Sequence, residues 1–467
     1  MSVFKEGAAR TTGTKAWALH VGRLLKTNSL ASGISMLAGG TVAGQIVALA
    51  SVPILSRLYS PADFGVLAVY ASLLSSVVVV ITLRYETAIA VADSDQMAAQ
   101  LLALSLAVCL LVSAAVGVIF GLMRDSLSAW TNTPSIRSFI WLLAISGCAA
   151  GVYQSFSFWA IRRKSYSRLA ATRVTQNVWM AATQIGLGLL RSGPFGLVIG
   201  DSLKWAGGSS TLILAAWRKD GHLLKRVRLP GLLEAAREYS KFPLLTAPSS
   251  LANSLGQQLP ALIIAGFYGP HVAGSFYLVQ KILAVPVTFV SRAIGDAYIG
   301  EFAQRLREDR QGAERLFGKL SRGLLAAGII PTVVLVLGGG TLVQWVLGSS
   351  WGEAGTYLQV VAVMFLAKFV VNPLSQTLIL MQHQGTQLAW DIGRMVFVNV
   401  AIFVVAIAHG SPMSAVCVYA ITMFIAYVLL YTVCKTVFRR NSVPVTTRLV
   451  DEQSNHDGES RTYVQVI

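Results

Sequence analysis

Apolar residues run along this chain in long blocks, not in the short alternations of a half-exposed sheet. A bilayer core about 30 Å thick takes roughly 20 apolar residues of helix per crossing. Blocks of that length recur near residues 29–56, 64–84, 97–120, 136–161, 167–190 and 194–217. A second set follows near 243–267, 272–298, 319–346, 356–381, 387–408 and 412–437. The pattern predicts an all-α polytopic membrane protein with about twelve transmembrane helices. Its expected domains are an N-terminal segment (1–28), a six-helix bundle (29–217), a basic linker (218–242), a second six-helix bundle (243–437) and a polar tail (438–467) expected to be disordered.

Composition agrees. Of 467 residues, 54% are hydrophobic and 13% charged, too little charge to cover a soluble protein of this length. The net charge of +17 invites a nucleic-acid reading, but the basic residues sit in short segments between apolar blocks. With the N-terminus inside, they collect on the cytoplasmic side: Arg162, Arg163, Lys164 and Arg168; Arg218 to Lys241; Arg305 to Arg322; and Lys435 to Arg461. The opposite side holds only Arg57, Arg124, Arg137 and Arg191. Removing one helix would scramble this segregation, so both termini are expected in the cytoplasm. Three basic stretches (16–26, 232–241 and 301–319) have the mixed faces of interfacial helices, for which a structural elbow is the simplest role. Cys109, Cys148, Cys417 and Cys434 fall in or beside apolar blocks and lack metal-ligand spacing, so they are read as packing residues.

The two halves share a short motif. Tyr59-Ser60-Pro61-Ala62-Asp63-Phe64-Gly65 follows the first block, and Tyr268-Gly269-Pro270-His271-Val272-Ala273-Gly274 follows the seventh. Both read Y-x-P-x-x-x-G: proline suits a helix start, and glycine permits close packing. Arg84 and Arg292 then stand toward the inner end of the second and eighth blocks. Six crossings per half preserve orientation, which relates the halves by a pseudo-two-fold axis along the membrane normal, with a cavity between the bundles.

Residues 53–65, Pro-Ile-Leu-Ser-Arg-Leu-Tyr-Ser-Pro-Ala-Asp-Phe-Gly, together with Leu83-Arg84-Tyr85-Glu86, resemble the start of polysaccharide (O-antigen type) flippases. These belong to the multidrug/oligosaccharidyl-lipid/polysaccharide exporter superfamily, and residues 242–302 are similar to the start of that family's second half. The resemblance implies a non-enzymatic flippase in the bacterial cytoplasmic membrane. Its cargo is a polyprenyl-pyrophosphate-linked oligosaccharide for surface polysaccharide biosynthesis, and no cofactor is needed. Implied partners are that lipid-linked substrate, membrane lipids and polysaccharide polymerase or assembly proteins, with no nucleic acid. A small-molecule exporter on the same fold is the nearer alternative. A membrane-embedded glycan polymerase or ligase is the other, though the outer loops are short, the six histidines are scattered and no nucleotide motif is present.

Charges within a bilayer are costly unless paired or wet, which makes them functional candidates. Lys281 and Lys368 fall near the middle of the eighth and tenth blocks with no acid within a turn. With Arg292 and Arg84 they form an expected cationic path for a pyrophosphate. Ser250, Asn253, Ser254 and Gln257 mark a polar stripe on the seventh crossing, expected to line the cavity as in flippases of that superfamily. The fifth crossing carries Arg173, Gln176, Asn177 and Gln184, expected to serve packing. Asp201 with Lys204, and Asp391 with Arg394, are read as neutralised pairs three residues apart.

Overall fold

The computed structural model describes residues 29–381 and 383–440. The expected interfacial segment at 16–26 and the tail from 441 onward lie outside those residues. Among the described residues the chain is helical, without strands. The N-terminal half comprises α1 (Ser29–Leu58), α2 (Pro61–Val80), the short α3 (Tyr85–Ala88), α4 (Asp95–Leu122), α5 (Arg124–Trp130), α6 (Ile140–Arg162), α7 (Tyr166–Leu189), α8 (Pro194–Ala206) and α9 (Ser209–Leu224). Helix α10 (Leu229–Glu238) forms the linker. The C-terminal half follows with α11 (Ala247–Glu308), α12 (Arg310–Leu347), α13 (Gly352–Leu374), α14 (Gln376–Leu380), α15 (Gln384–Ile407) and α16 (Pro412–Arg440).

Nine helical stretches among the described residues are long and apolar enough to cross a membrane. The twelve expected crossings are nevertheless all present as helix. Helix α11 holds two of them, divided at Gly269, whose φ of 82° breaks the helical run. Helix α7 is not among the nine, because its polar stripe makes it less apolar than they are. The sixth crossing is split between α8 and α9, and α9 continues to Leu224, about two turns past the boundary expected at 217. The stretch 301–319 is not a separate surface helix: it is the end of α11, a break at Asp309 and the start of α12.

Local chemistry sets the helix starts. Ser60 and Asp63 form a reciprocal capping box, with the Asp63 carboxylate accepting from the Ser60 amide at 2.9 Å and the Ser60 hydroxyl accepting from the Asp63 amide at 3.2 Å. Pro61 occupies the first helical position. Ser94 caps α4 by accepting from the Met97 amide at 3.0 Å.

The polar stripe of α7 serves packing. Arg173 donates to the Thr41 hydroxyl of α1. The Gln184 amide donates to the Leu197 carbonyl at 2.9 Å, and Tyr59 donates to the Gln184 carbonyl at 2.6 Å. The cysteines are unbridged, and Cys109 and Cys434 are fully buried.

The halves meet where α2 crosses α11, and there the two copies of the motif pack on each other. A Cβ on Gly65 would run into the Pro270 carbonyl oxygen, and one on Gly274 into the Pro61 carbonyl oxygen. Trp351 pins the same end. It is fully buried, donates to the Ser56 carbonyl at 2.9 Å and stands edge-on to Phe64 at 5.2 Å. Truncating a buried tryptophan costs about 3–5 kcal/mol. Trp351→Ala is therefore expected to lower the melting temperature of the purified protein by several degrees, and an unchanged melting curve would show that this contact does not hold the halves.

Candidate functional site

The elements that bring charge together are the two arms of α11, α13, α15 and α16. Between them lies a cavity of about 230 Å³ whose lining includes Gln257, Tyr277, Lys281, Lys368, Arg394 and Tyr419. Lys281 and Lys368 are half-buried, and among the described residues neither has an acidic side chain within ion-pair distance. Each ammonium lies near an aromatic ring of its own helix, Lys281 at 5.9 Å from Tyr277 and Lys368 at 5.3 Å from Phe365. Such contacts supply about 1 kcal/mol, far less than a counter-ion in a low-dielectric site.

Arg394, expected from its spacing to be neutralised by Asp391, also lines this cavity. Its ion pair with Asp391 exists at 3.4 Å, but the guanidinium also donates to the Asn253 side-chain oxygen at 3.0 Å and lies 4.7 Å over the Trp390 ring. Its side chain is 5% exposed, and its Nε has no hydrogen-bond partner. A ring, an amide and a carboxylate thus hold this arginine, and its charge, at the cavity wall. Lys281, Lys368 and Arg394 thus line one cavity, and among the described residues Arg394 alone of the three has a carboxylate, Asp391, within ion-pair distance.

The polar stripe of the seventh crossing divides. Asn253 orients Arg394, and Gln257 lines the cavity while donating to Asn253 at 3.3 Å. Ser254 is buried with its hydroxyl directed to the Ser75 carbonyl of α2 at 3.5 Å, a contact between the halves. Ser250 lies one turn before Ser254, outside the cavity lining.

Arg84 does not join the lysines. It stands at φ 65°, after Leu83 at 48°, in a left-handed break that ends the second crossing, a conformation costing about 1–2 kcal/mol per non-glycine residue. Its guanidinium pairs with Glu86 at 3.4 Å, and Glu86, fully buried, also accepts from Thr82. Burial pushes the Glu86 carboxyl above the ordinary range, against the pull of Thr82 and Arg84. Arg292 lies on α11, and its side chain is outside the described set. Asp201 and Lys204 pair at 2.6 Å on α8, and theirs are the charges of the N-terminal half that act on Lys281.

The fold is that of transporters of the multidrug/oligosaccharidyl-lipid/polysaccharide superfamily. The structure aligns with an inward-facing multidrug resistance MATE family transporter at a TM-score of 0.69 and 11% identity, covering 87% of this chain and 96% of that one. It aligns with the lipid II flippase MurJ at 0.67 and 10% identity, covering 91% and 93% respectively. Residues 54–356 match the polysaccharide biosynthesis protein family, and the chain belongs to that family. It is similar to teichuronic acid biosynthesis protein TuaB of Bacillus subtilis (strain 168), 21% identical over 295 residues. That match spans 62% of this chain and 58% of the relative's length.

Proposed function

We propose that this protein is a flippase that moves a polyprenyl-pyrophosphate-linked oligosaccharide from the inner to the outer leaflet of the bacterial cytoplasmic membrane, for surface polysaccharide biosynthesis. The observation that carries the reading is that Lys281, Lys368 and Arg394 line one cavity, and that among the described residues neither lysine has an acidic side chain within ion-pair distance. Unneutralised cations in a partly dry pocket are costly to the resting protein, and a multiply charged anion is the ligand that offsets that cost. The positive-inside distribution supports a cytoplasmic linker end. On that orientation the glycine crossing and Trp351 join the halves at the outer end, which supports loading of cargo from inside.

Membership of a polysaccharide biosynthesis family supports a glycan cargo, as does likeness to a protein named for teichuronic acid synthesis and to a lipid II flippase. MATE transporters share the fold, but a positive pocket disfavours the cationic cargo of a drug exporter. The reading requires no bond-making step. Its partners are the lipid-linked substrate, the surrounding lipids and the polymerase and assembly proteins that take the exported glycan onward.

The charge of the cargo supplies a test. Carrying one negative charge outward down an inside-negative potential releases about 2.3 kcal/mol per 100 mV. In proteoliposomes, flipping of a pyrophosphate-linked oligosaccharide is expected to rise several-fold with an inside-negative potassium diffusion potential. It should persist when a proton ionophore abolishes the pH gradient and the potassium potential is kept clamped. Flipping that ignores the potential and stops with the pH gradient would count against a substrate driven by its own charge.

A further inference from the structure

A second cavity lies on the perimeter of the N-terminal half, formed by α7, α9 and the break before α9. Helix α8 stops at Ala206, and Gly208 takes φ 98°, a left-handed value that glycine adopts without strain. Helix α9 leaves this break at an angle to α7, and the wedge between them encloses about 650 Å³. Arg168, Arg218 and Lys219 line its end near the linker, and Thr175, Leu214 and Trp179 are among the residues along its floor. Trp179 stands eleven residues beyond Arg168 on α7, about 16 Å by helical rise, and is 57% exposed.

The charge balance of this wedge is unusual. The nearby acids are already taken: Asp95 accepts from Arg162 and Arg163 at 3.0 and 2.8 Å. Asp220 pairs with Arg163 at 3.0 Å and accepts from the Trp159 indole at 3.0 Å. Among the described residues, Arg168, Arg218 and Lys219 have no acidic partner. The wedge thus has an uncompensated cationic rim, a floor of small, hydroxyl and apolar side chains, and an exposed indole one acyl-chain segment away.

We propose that this cleft binds an acidic glycerophospholipid, with its phosphate on the Arg168, Arg218 and Lys219 rim and an acyl chain along the floor toward Trp179. Basic recesses between helices at the membrane surface favour anionic headgroups, and the side chains' own methylene stems complete the apolar wall. The site is separate from the Lys281 cavity, whose lining comes from the C-terminal half alone, and does not depend on the cargo assigned above. A bound lipid would brace α9 against α7 across the break at Gly208.

The test uses the full-length protein in detergent, titrated with phosphatidylglycerol or phosphatidylcholine, with retained lipid counted by native mass spectrometry. Phosphatidylglycerol is expected to bind at least tenfold more tightly. The combined Arg168→Gln, Arg218→Gln and Lys219→Gln variant should lose about a hundredfold in that binding. Thr175→Trp fills the floor without touching the charges and should lower retention as well, at a wild-type melting temperature. Equal binding of the two lipids, or unchanged phosphatidylglycerol retention in both variants, overturns the proposal. So does displacement of phosphatidylglycerol by equimolar polyprenyl phosphate, which would make the cleft a loading site for the carrier lipid.

Discussion

Replacing Lys281 and Lys368 together by alanine is expected to abolish surface glycan export while leaving the protein in the membrane at wild-type abundance. A hydrogen bond to a charged group contributes about 1.5–3 kcal/mol, so each single alanine variant should lose roughly ten- to hundredfold in flipping rate. Lys281→Arg and Lys368→Arg keep the charge and should retain a larger share. The informative companion measurement is thermal stability. Since among the described residues neither lysine has a counter-ion, removing it relieves a desolvation cost instead of breaking a pair. The variants should melt at or slightly above the wild-type temperature, the usual signature of a site kept for function at the expense of stability. Normal surface glycan in the double variant would remove these lysines from the transport path. Lower abundance would instead expose them as structural.

Arg394 gives the same argument a second side. Arg394→Ala removes a cation too, but it also strips Asn253 and Asp391 of a partner. Its cost therefore mixes function with stability, and the lysines provide the cleaner separation.

How far these features were legible in the sequence follows from the range of the interactions involved. Burial of about twenty residues of helix is a local requirement, so most crossings are visible as apolar blocks. The fifth crossing is visible as a more polar block, and the charge balance between the two sides supports its place in the count. Lys281 and Lys368 stood out because their own helices offer no acid nearby. Arg394 did not, because Asp391 one turn earlier offered an obvious neutralising partner. What the guanidinium does with its other donors depends on Asn253, 141 residues away, and no periodicity reports that. Ser254 shows the converse: it shares the stripe of Asn253 and Gln257, yet faces α2, since a stripe on one helix does not say which neighbour covers it. The repeat was visible as two isolated motifs. That they touch requires them to lie close to the pseudo-symmetry axis, a property of the assembled halves.

That contact leads to the second large effect. Gly65→Val is expected to stop transport at near-normal expression by destabilising the state described here. Two chain segments related by an approximate two-fold can meet only near the axis, and here each glycine receives the other half's proline carbonyl. A side chain at Gly65 strikes backbone, which cannot swing aside as a flexible side chain can. Relief requires α2 and α11 to separate at this end, and that strain, of order 1–3 kcal/mol or more for overpacking, is absent from any state in which the ends already stand apart. The substitution thus shifts the balance between states by about five- to hundredfold, the equilibrium equivalent of that energy. A cysteine placed at His271, an exposed position beside the crossing, should then react faster with a membrane-impermeant maleimide added from outside. Gly274→Val, the symmetry mate, should give the same labelling change, and the double substitution should add little once the ends have parted. Unaltered labelling with intact transport in both variants would mean that the crossing tolerates a side chain, and the joined outer end would need another explanation.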